Sequence, residues 1–188
     1  MRHSNTLRFP FAAEKVTEVA AEFLRLAGGE IYILTLVKLV YLLDRESIAQ
    51  RGVAVVGGSY LSMASGPVTS EVLDLINNGF LSGFRINWEQ FISDRQDHQV
   101  GLKNNPGREH LSDVELELIE RVFSEHQEQD RFELVAWCHA NCGEWTPLDQ
   151  GCADIDLERL AEEVGRDREE VIENALEQSF LDEAFQSK

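Results

Sequence analysis

The feature that most constrains the fold is an apolar helix that carries polar side chains, in the segment LVKLVYLLDRES at residues 36–47. Leucine and valine surround this segment on almost every side, so a helix here has no wide face to leave in water. Lys38, Tyr41 and Asp44 must therefore lie on or beside packed surface, where polar groups need hydrogen-bond partners. We expect this helix to run through the centre of the domain, with other helices packed on either side of it.

Apolar residues at helical spacing, with glycine and proline terminators, predict several further helices. The predicted helices cover residues 11–27, 33–50, 69–78, a capped helix beginning at Asp113, residues 131–141, and two tail helices, one ending at Gly165 and one capped by Asp167. Residues 54–56 and 60–63 read as short strands or an irregular hairpin, and residues 84–102 as an antiparallel hairpin around a polar turn at 93–97. The predicted fold is mainly α (α+β), a helical core with a small antiparallel β-hairpin or sheet inserted between helices.

Length and composition limit the class of protein. The 188 residues are 43% apolar, which is enough for one compact domain with its own core. We expect residues 1–150 to form this domain and residues 151–188 to form an acidic helical hairpin packed on it. No apolar run approaches the ~20 residues of a membrane span. The N-terminus lacks the apolar run of a secretory signal, and three cysteines suit reduced thiols. These features predict a cytoplasmic protein.

The negative charge is concentrated in the C-terminal part of the chain. Residues 1–110 hold 12 acidic and 11 basic residues, whereas residues 111–188 hold 22 acidic and 6 basic residues, a net charge of −16. Such a field repels phosphate backbones, so we expect no direct DNA binding, and it attracts a basic partner from a distance. The tail imitates a helix-turn-helix, but its second helix presents glutamates around Arg168. The acidic residues could serve solubility or the docking of a basic partner, and charge alone does not decide between these two explanations.

The best candidate for metal binding is Cys138 and His139 with Cys142, because positions four apart share a helical face. A fourth ligand would have to come from Cys152, His126 or His110. The paired Cys-x-x-Cys elements of a convincing zinc site are absent, so a buried structural cysteine is the favoured interpretation. Adjacent helical side chains point about 100° apart, which argues against a thiolate–imidazole pair. The usual phosphate-loop, serine-hydrolase and zinc-protease motifs are also missing. We predict no catalytic residue, no cofactor and no metal.

Several motifs together resemble the Panacea domain, or SocA-like antitoxin family. They are Lys38-Leu39-Val40-Tyr41-Leu42-Leu43-Asp44, Tyr60, Gly66-Pro67-Val68 before a helix, the sheet region at 85–105, the Ser112 capping helix, and His139 followed by Trp145. The resemblance covers about residues 14–150. One departure is Ala64-Ser65 before Gly66, where many members place an aromatic residue or histidine. The acidic helices after Gly151 are less characteristic of the family.

The resemblance implies a bacterial or phage-encoded antitoxin that neutralises a cognate protein toxin by direct contact. One alternative is a proteolytic adaptor or regulatory interaction protein that delivers its partner to a cellular protease. A metal-dependent enzyme using Cys138, Cys142 and a histidine is the third hypothesis. The first two are binding functions without chemistry, and an acidic C-terminal field would help capture a basic toxin.

The polar line on the central helix also has a structural interpretation. Lys38, Tyr41 and Asp44 are spaced three apart, and we expect all three to form hydrogen bonds with the loop at 57–68. Asp44 would accept hydrogen bonds from backbone N–H groups or from the Tyr60 hydroxyl. Gly66 and Pro67 would fix the turn, and Val68 would fill the core. The sequence does not identify the residues that bind a partner.

Overall fold

The computed structural model describes residues 7–186, which contain eight α-helices and five short strands. The helices are α1 (Ala13–Leu26), α2 (Ile33–Arg51), α3 (Ser70–Asn78), α4 (Trp88–Phe91), α5 (Asp113–His126), α6 (Arg131–Asn141), α7 (Leu157–Glu163) and α8 (Arg168–Gln186). The strands are β1 (Glu30–Tyr32), β2 (Tyr60–Met63), β3 (Gly66–Thr69), β4 (Gln99–Gly101) and β5 (Cys152–Asp154). Residues 1–6, on which the exclusion of a secretory signal partly depends, lie outside the described residues. The mainly α fold class with a small β part is confirmed.

Helix α2 occupies the centre of the fold, as its sequence predicts. Helices α1, α3, α5 and α6 all contact it, and its side chains from Leu36 to Asp44 are buried without a break. The helix ends at Gly52, whose φ of 70° is the left-handed conformation that glycine adopts without a Cβ penalty. Because α2 is buried on all sides, the helices that pack on it are positioned by their contacts with it.

Two small antiparallel sheets flank this helical core. Strand β1 pairs with β4 in a two-stranded sheet, and β2 lies between β3 and β5 in a three-stranded sheet. The β2–β3 hairpin turns at Ala64-Ser65, and its pairing aligns Tyr60 with Thr69 and Met63 with Gly66. Gly66 and Pro67 therefore belong to a strand, and the expectation that they form the turn itself is wrong. Val68 is buried in the core, as predicted.

The prediction of a strand at 54–56 is wrong, and the reason is local. The backbone N–H groups of Val55, Val56 and Gly57 all donate to the carboxylate of Asp44. Donors engaged in this way are not available for a strand ladder. The chain here folds around the Asp44 side chain. Val55 and Val56 are buried by this loop and not by a sheet.

The hairpin predicted over residues 84–102 is also wrong in its first arm. Residues 88–91 form the short helix α4, with Trp88 buried, and the two arms are joined by isolated antiparallel bridges, Ile92 with Leu102 and Gln96 with Gln99. The second arm, β4, pairs instead with β1, so Val100 lies opposite Ile31. The alternating pattern predicted that β4 pairs with the preceding segment of the chain, but β4 pairs with the distant strand β1. Periodicity alone does not distinguish a nearby partner strand from a distant one.

The remaining helix predictions are confirmed within about two residues. Helices α5 and α6 both begin with reciprocal capping boxes, in which Ser112 pairs with Glu115 and Asp130 pairs with Glu133. In the tail, Asp167 accepts a hydrogen bond from the Glu170 N–H at 3.0 Å at the start of α8. Both capping boxes use an acidic residue in the first helical turn, which also suits the helix dipole.

The C-terminal segment is joined to the rest of the chain by backbone and side-chain contacts. Strand β5 extends the β2–β3 hairpin, Arg159 donates to the Gly143 carbonyl at 2.6 Å, and Asn174 donates to the Gly52 carbonyl at 3.0 Å. The division of the chain at residue 150 into a domain and an appendage stays a prediction. Within the described residues, no helix combines the length and the hydropathy that crossing a bilayer requires.

Candidate partner-binding site

The C-terminal half of α2 holds Asp44, a fully buried carboxylate whose oxygens are saturated with donors. One oxygen accepts from the N–H groups of Val55 and Val56, both at 2.8 Å, and the other from the Gly57 N–H and the Tyr60 hydroxyl, both at 2.9 Å. Burial raises the pKa of Asp44 to about 6, and the four hydrogen bonds oppose that rise. The prediction that Asp44 accepts from backbone N–H groups or Tyr60 is confirmed, and both kinds of donor are present.

The Tyr41 ring packs edge-on against Tyr60, with centroids 5.7 Å apart, but its hydroxyl does not donate to the 57–68 loop, so the predicted hydrogen bond is wrong. Its hydroxyl donates instead to the buried carboxylate of Glu144 at 2.6 Å, and Arg45 Nε donates to the same oxygen at 2.8 Å. Burial, with the neighbouring Glu144 carboxylate, raises the pKa of Tyr41 far above its ordinary value. The guanidinium of Arg45 also reaches the Asn141 carbonyl at 3.1 Å. The Tyr41 hydroxyl thus ties α2 to the loop that follows α6.

The N-terminal half of α2 holds Lys38, a second fully buried charge. Its Nζ donates to the Pro67 carbonyl at 2.7 Å, which confirms the predicted contact with the Gly66-Pro67 segment. An ammonium group has three N–H donors, and the hydrogen bond to Pro67 uses one of them. Burial lowers the pKa of Lys38 to about 8. Gly66 leaves room for the ammonium, because a Cβ at this position would lie 3.0 Å from Lys38 Nζ, and its φ of 94° is in the left-handed region.

His139 and Trp145 hold the tip of the β2–β3 hairpin from the other side. Their rings are stacked with centroids 4.0 Å apart and planes 8° from parallel. Trp145 Nε1 donates to the Met63 carbonyl at 2.9 Å, and His139 is hydrogen-bonded to the Ala64 backbone. Desolvation and the nearby Lys38 ammonium lower the pKa of His139. The family motif residues therefore position a hairpin tip that is itself built from small side chains.

The residues weighed as metal ligands do not converge on one point. Cys138 on α6 and Cys142 at the C-cap of that helix are both buried, whereas Cys152 is exposed on β5. His139 faces Trp145, and the two other histidines considered as ligands are engaged elsewhere: His126 with Gln129 and His110 with Glu18. Within residues 7–186, no group of three or more His, Cys, Asp or Glu side chains is placed to hold a metal ion.

An exposed cluster of hydrophobic and cationic side chains lies where the N-termini of α2 and α6 meet, and we call it the aromatic ridge. It consists of Tyr32, Arg131 and Phe132. The Arg131 guanidinium lies 4.2 Å from the Tyr32 ring centroid and 4.8 Å from the Phe132 ring centroid. Tyr32 is 40% exposed and Phe132 63% exposed. Tyrosine and arginine are the residue types that most often dominate binding energy at protein interfaces, and phenylalanine is also enriched there.

Two grooves adjoin the aromatic ridge. The first, which we call the basic groove, has a volume of about 670 Å³ and is bounded by α2, the hairpin tip, α3 and the 95–98 turn. Its apolar lining comprises Ile33, Leu34, Val37, Met63, Val68 and Leu73. Its polar lining includes the cationic residues Lys38, Arg95 and Arg131, and none of its described lining residues is Asp or Glu. It therefore combines an apolar surface with one sign of charge.

The second groove, which we call the mixed groove, has a volume of about 620 Å³ and lies between β1, α2 and α5. Glu30 and Asp130 line it together with Arg131, so both signs of charge are present. The carboxylate of Asp130 accepts the N–H groups of Phe132 and Glu133 as part of the capping box, and these bonds lower its pKa. The Asp130 carboxylate therefore serves to cap the N-terminus of α6. Of the two grooves, the basic groove is the more distinctive, because its charged lining residues have one sign.

The turn that presents Arg95 to the basic groove has a strained backbone. Asp97 and His98 have φ angles of 49° and 65°, the left-handed pair of a two-residue hairpin turn where Asn and Gly are preferred. Gln96 and Gln99 exchange backbone hydrogen bonds of 3.0 and 2.8 Å across it. Arg95 donates to His98 Nδ1 at 2.9 Å, so this ring nitrogen acts as the acceptor. Non-glycine residues held in such conformations cluster at binding and active sites.

Sequence analysis missed the aromatic ridge, the Arg95 turn and Glu144. Tyr32, Arg95 and Arg131 come from three distant segments, and no spacing rule relates such residues. Glu144 lies in a loop with no helical or strand pattern of its own. The sequence signal that was present is an aromatic residue directly after an arginine at the start of the predicted helix at 131–141, and both residue types are enriched at interfaces.

Comparison with known proteins identifies a relationship over the central part of the chain. The family model described as Antitoxin SocA-like, Panacea domain, matches residues 36–146. The match begins at the polar line on α2 and includes the hairpin, the aromatic residues of α6 and Trp145. No curated protein and no solved structure gives a significant match.

Proposed function

The chain belongs to the SocA-like antitoxin family of Panacea domains, and on this basis we propose that it is an antitoxin that neutralises a cognate protein toxin by binding it directly. The observation that carries the proposal is the aromatic ridge between two grooves. A surface-exposed Tyr-Arg-Phe cluster beside an apolar cavity is the kind of hot spot on which protein partners dock. The proposed role is binding without chemistry.

The state of the buried polar groups supports a binding role over a catalytic one. Asp44 and Glu144 are carboxylates of the kind that catalysis uses, but their oxygens are occupied by backbone, tyrosine and arginine donors. The Cys138 and Cys142 thiols are buried in the core. A catalytic group must reach a substrate atom, which these side chains do not do without unfolding their surroundings.

The proposed partner is a cytoplasmic protein toxin with a basic surface. Residues 111–188 carry a net charge of −16, and long-range attraction of this sign speeds encounter with a basic protein. The same charge disfavours DNA as a direct ligand. Neutralisation would follow from occupation of the toxin surface, and delivery of the toxin to a cellular protease is the alternative outcome.

Co-expression with the neighbouring gene tests the proposal. Induction of the neighbouring product alone should stop growth, and simultaneous expression of this chain should restore it, with the two proteins copurifying in a fixed ratio. A neighbouring product that is harmless, or toxicity that this chain does not relieve, would contradict the antitoxin role. The half-life of the toxin with and without cellular proteases then separates the two binding roles. A half-life that falls when this chain is present indicates an adaptor, and an unchanged half-life indicates masking.

A further inference from the structure

We infer that the basic groove is the specificity site of the interface, and that it binds an apolar segment of the partner protein whose carboxylate pairs with Arg95 and Arg131. This inference rests on the proposed function, because it names the chemistry of the segment that the antitoxin would recognise. This local pairing with a carboxylate is distinct from the long-range attraction of a basic toxin by the acidic residues of 111–188. A toxin that is basic as a whole can still present one acidic segment to a groove of opposite sign.

The charge of the basic groove is opposite in sign to the net charge of the chain. Acidic residues outnumber basic ones two to one, 34 to 17, yet the described lining of the basic groove holds cationic side chains and no Asp or Glu. Arg95 and Arg131 form no ion pair with a carboxylate of the described residues. A cationic, carboxylate-free groove in an acidic protein is electrostatically complementary to an acidic ligand.

Arg95 and Arg131 supply the hydrogen-bond donors of the basic groove. Guanidinium groups carry five N–H donors in a planar fork that matches a carboxylate. One Arg95 donor is used on His98, and Arg131 is held by two aromatic faces, which leave the edge of its guanidinium for polar contacts. Both side chains are therefore oriented before a ligand arrives, which reduces the entropy lost on binding.

A buried positive charge, that of Lys38, lies beneath the basic groove. Lys38 lies close to Gly66 and has one hydrogen bond to residues that the structure describes, and its buried position limits solvent screening. Its ammonium adds positive potential to the groove without contacting the ligand. The low pKa of this group, about 8, reflects the cost of keeping it charged in the absence of an anion.

The apolar surface of the basic groove has a floor and an open side. Ala64 and Ser65 at the hairpin tip have small side chains, so the groove is open on that side, while Val37 and Val68 form its floor. A volume of about 670 Å³ is within the range of pockets that bury most of a ligand. The occupant is thus a peptide segment with apolar side chains for the floor and a carboxylate for the arginines.

Peptide display on the intact chain tests the inference without knowledge of the toxin. Random peptides of about twelve residues, as in common display libraries, would be selected on the wild-type protein. The recovered sequences should combine Asp or Glu with apolar residues. A synthetic copy of the best peptide should lose at least about 10-fold in affinity when its acidic residue is changed to Gln, measured by fluorescence anisotropy. Recovery of basic peptides would overturn the inference.

Matched arginine variants locate the contact. Arg95→Glu should weaken the selected peptide at least about 10-fold, and a peptide with Lys in place of the acid should bind this variant better than it binds the wild type. Arg85→Glu changes the charge of an exposed arginine outside both grooves and should leave affinity within about 2-fold. Arg95→Gln provides the milder change if the reversed charge disturbs the turn. Equal losses in the Arg95 and Arg85 variants would contradict the assignment.

Two further outcomes separate this inference from other occupants and from the antitoxin role. Dimerisation of the chain alone that disappears on Arg131→Glu, seen by sedimentation, would show that the groove binds a second copy and would overturn the inference. Toxin neutralisation that survives Arg95→Glu and Arg131→Glu would refute the groove assignment while leaving the antitoxin role intact. Acidic-peptide selectivity without any toxin rescue would refute the antitoxin role alone.

Discussion

Helix α2 buries a charged side chain in each half, and the two charges are satisfied in different ways. Asp44 accepts four hydrogen bonds, three of them from backbone N–H groups, and lies within a closed core. Lys38 makes one hydrogen bond within residues 7–186, to the Pro67 carbonyl, and lines a groove that opens beside the aromatic ridge. The saturated charge organises a loop, whereas the unsaturated charge gives an adjacent surface its electrostatic character.

This difference separates a structural region from a binding region within one helix. The Asp44 carboxylate has no spare acceptor position to offer a partner, so changes to it should act through stability. The half around Lys38 lies between the hairpin tip and the ridge, where aromatic and cationic groups face solvent. Changes there should act through affinity.

The largest expected effect is the loss of stability in Asp44→Ala. The substitution leaves three buried N–H groups and the Tyr60 hydroxyl without an acceptor, and we expect it to cost about 3–5 kcal/mol in the free energy of unfolding. Urea denaturation followed by circular dichroism measures this. Asp44→Asn keeps an acceptor oxygen and should cost less. An unchanged melting temperature combined with lost toxin binding would instead place Asp44 in the interface.

The second prediction concerns the pH dependence contributed by Lys38. Its folded pKa of about 8 lies below the ordinary 10.5, so between these values the unfolded chain binds more protons than the folded chain. Stability from this group therefore rises with pH across that window, by up to about 3 kcal/mol. Urea denaturation between pH 7 and 10.5 should show wild type gaining stability relative to Lys38→Met. A difference between the two proteins that stays constant with pH would contradict the account.

The third prediction compares two exposed phenylalanines. Phe132 in the ridge and Phe80 after α3 are 63% and 65% exposed, so their substitution by Ala removes similar exposed surface. Phe132→Ala should weaken toxin binding by about 2 kcal/mol, roughly 30-fold, with unchanged stability. Phe80→Ala should leave affinity unchanged. Surface plasmon resonance with the copurifying toxin measures both, and equal affinities for the two variants would remove the ridge from the interface.

The smallest expected effect is that of the acidic tail. Glu169, Glu173 and Glu177 lie on one exposed face of α8, and their replacement by Gln removes three charges without touching the core. We expect the association rate to fall about 3-fold at low salt, the dissociation rate to stay the same, and the difference to vanish at high salt. A large rise in the dissociation rate would show that the tail is a contact surface.

The elements that were predicted from sequence are those whose signals are local. The burial of α2, the Ser112 cap of α5 and the acceptor role of Asp44 follow from residues close in the chain or from a charge that needs partners. The bounds of the helices were also predicted from local signals, the spacing of apolar residues and the glycine and proline terminators. The Lys38 contact with Pro67 also followed, because a family motif joined the two segments.

The elements that were missed depend on residues far apart in the chain. Strand β4 pairs with β1 across about 70 residues, and β5 joins β2 from the tail. Tyr41 bonds to Glu144, which no local pattern identifies as buried. The aromatic ridge combines Tyr32 with Arg131, and only the packed fold brings these together. Long-range pairing of this kind is not encoded in periodicity.

Hydrogen–deuterium exchange of the chain, alone and in complex with the copurifying toxin, tests the division of α2 most directly. The account predicts new protection at residues 31–38, 63–68 and 95–98 and at the start of α6, with no change at residues 44–60. Amides of the saturated Asp44 loop should already exchange slowly in the free protein. Protection confined to residues 44–60, or to α7 and α8 alone, would contradict the claim that the partner binds at the Lys38 half of the helix.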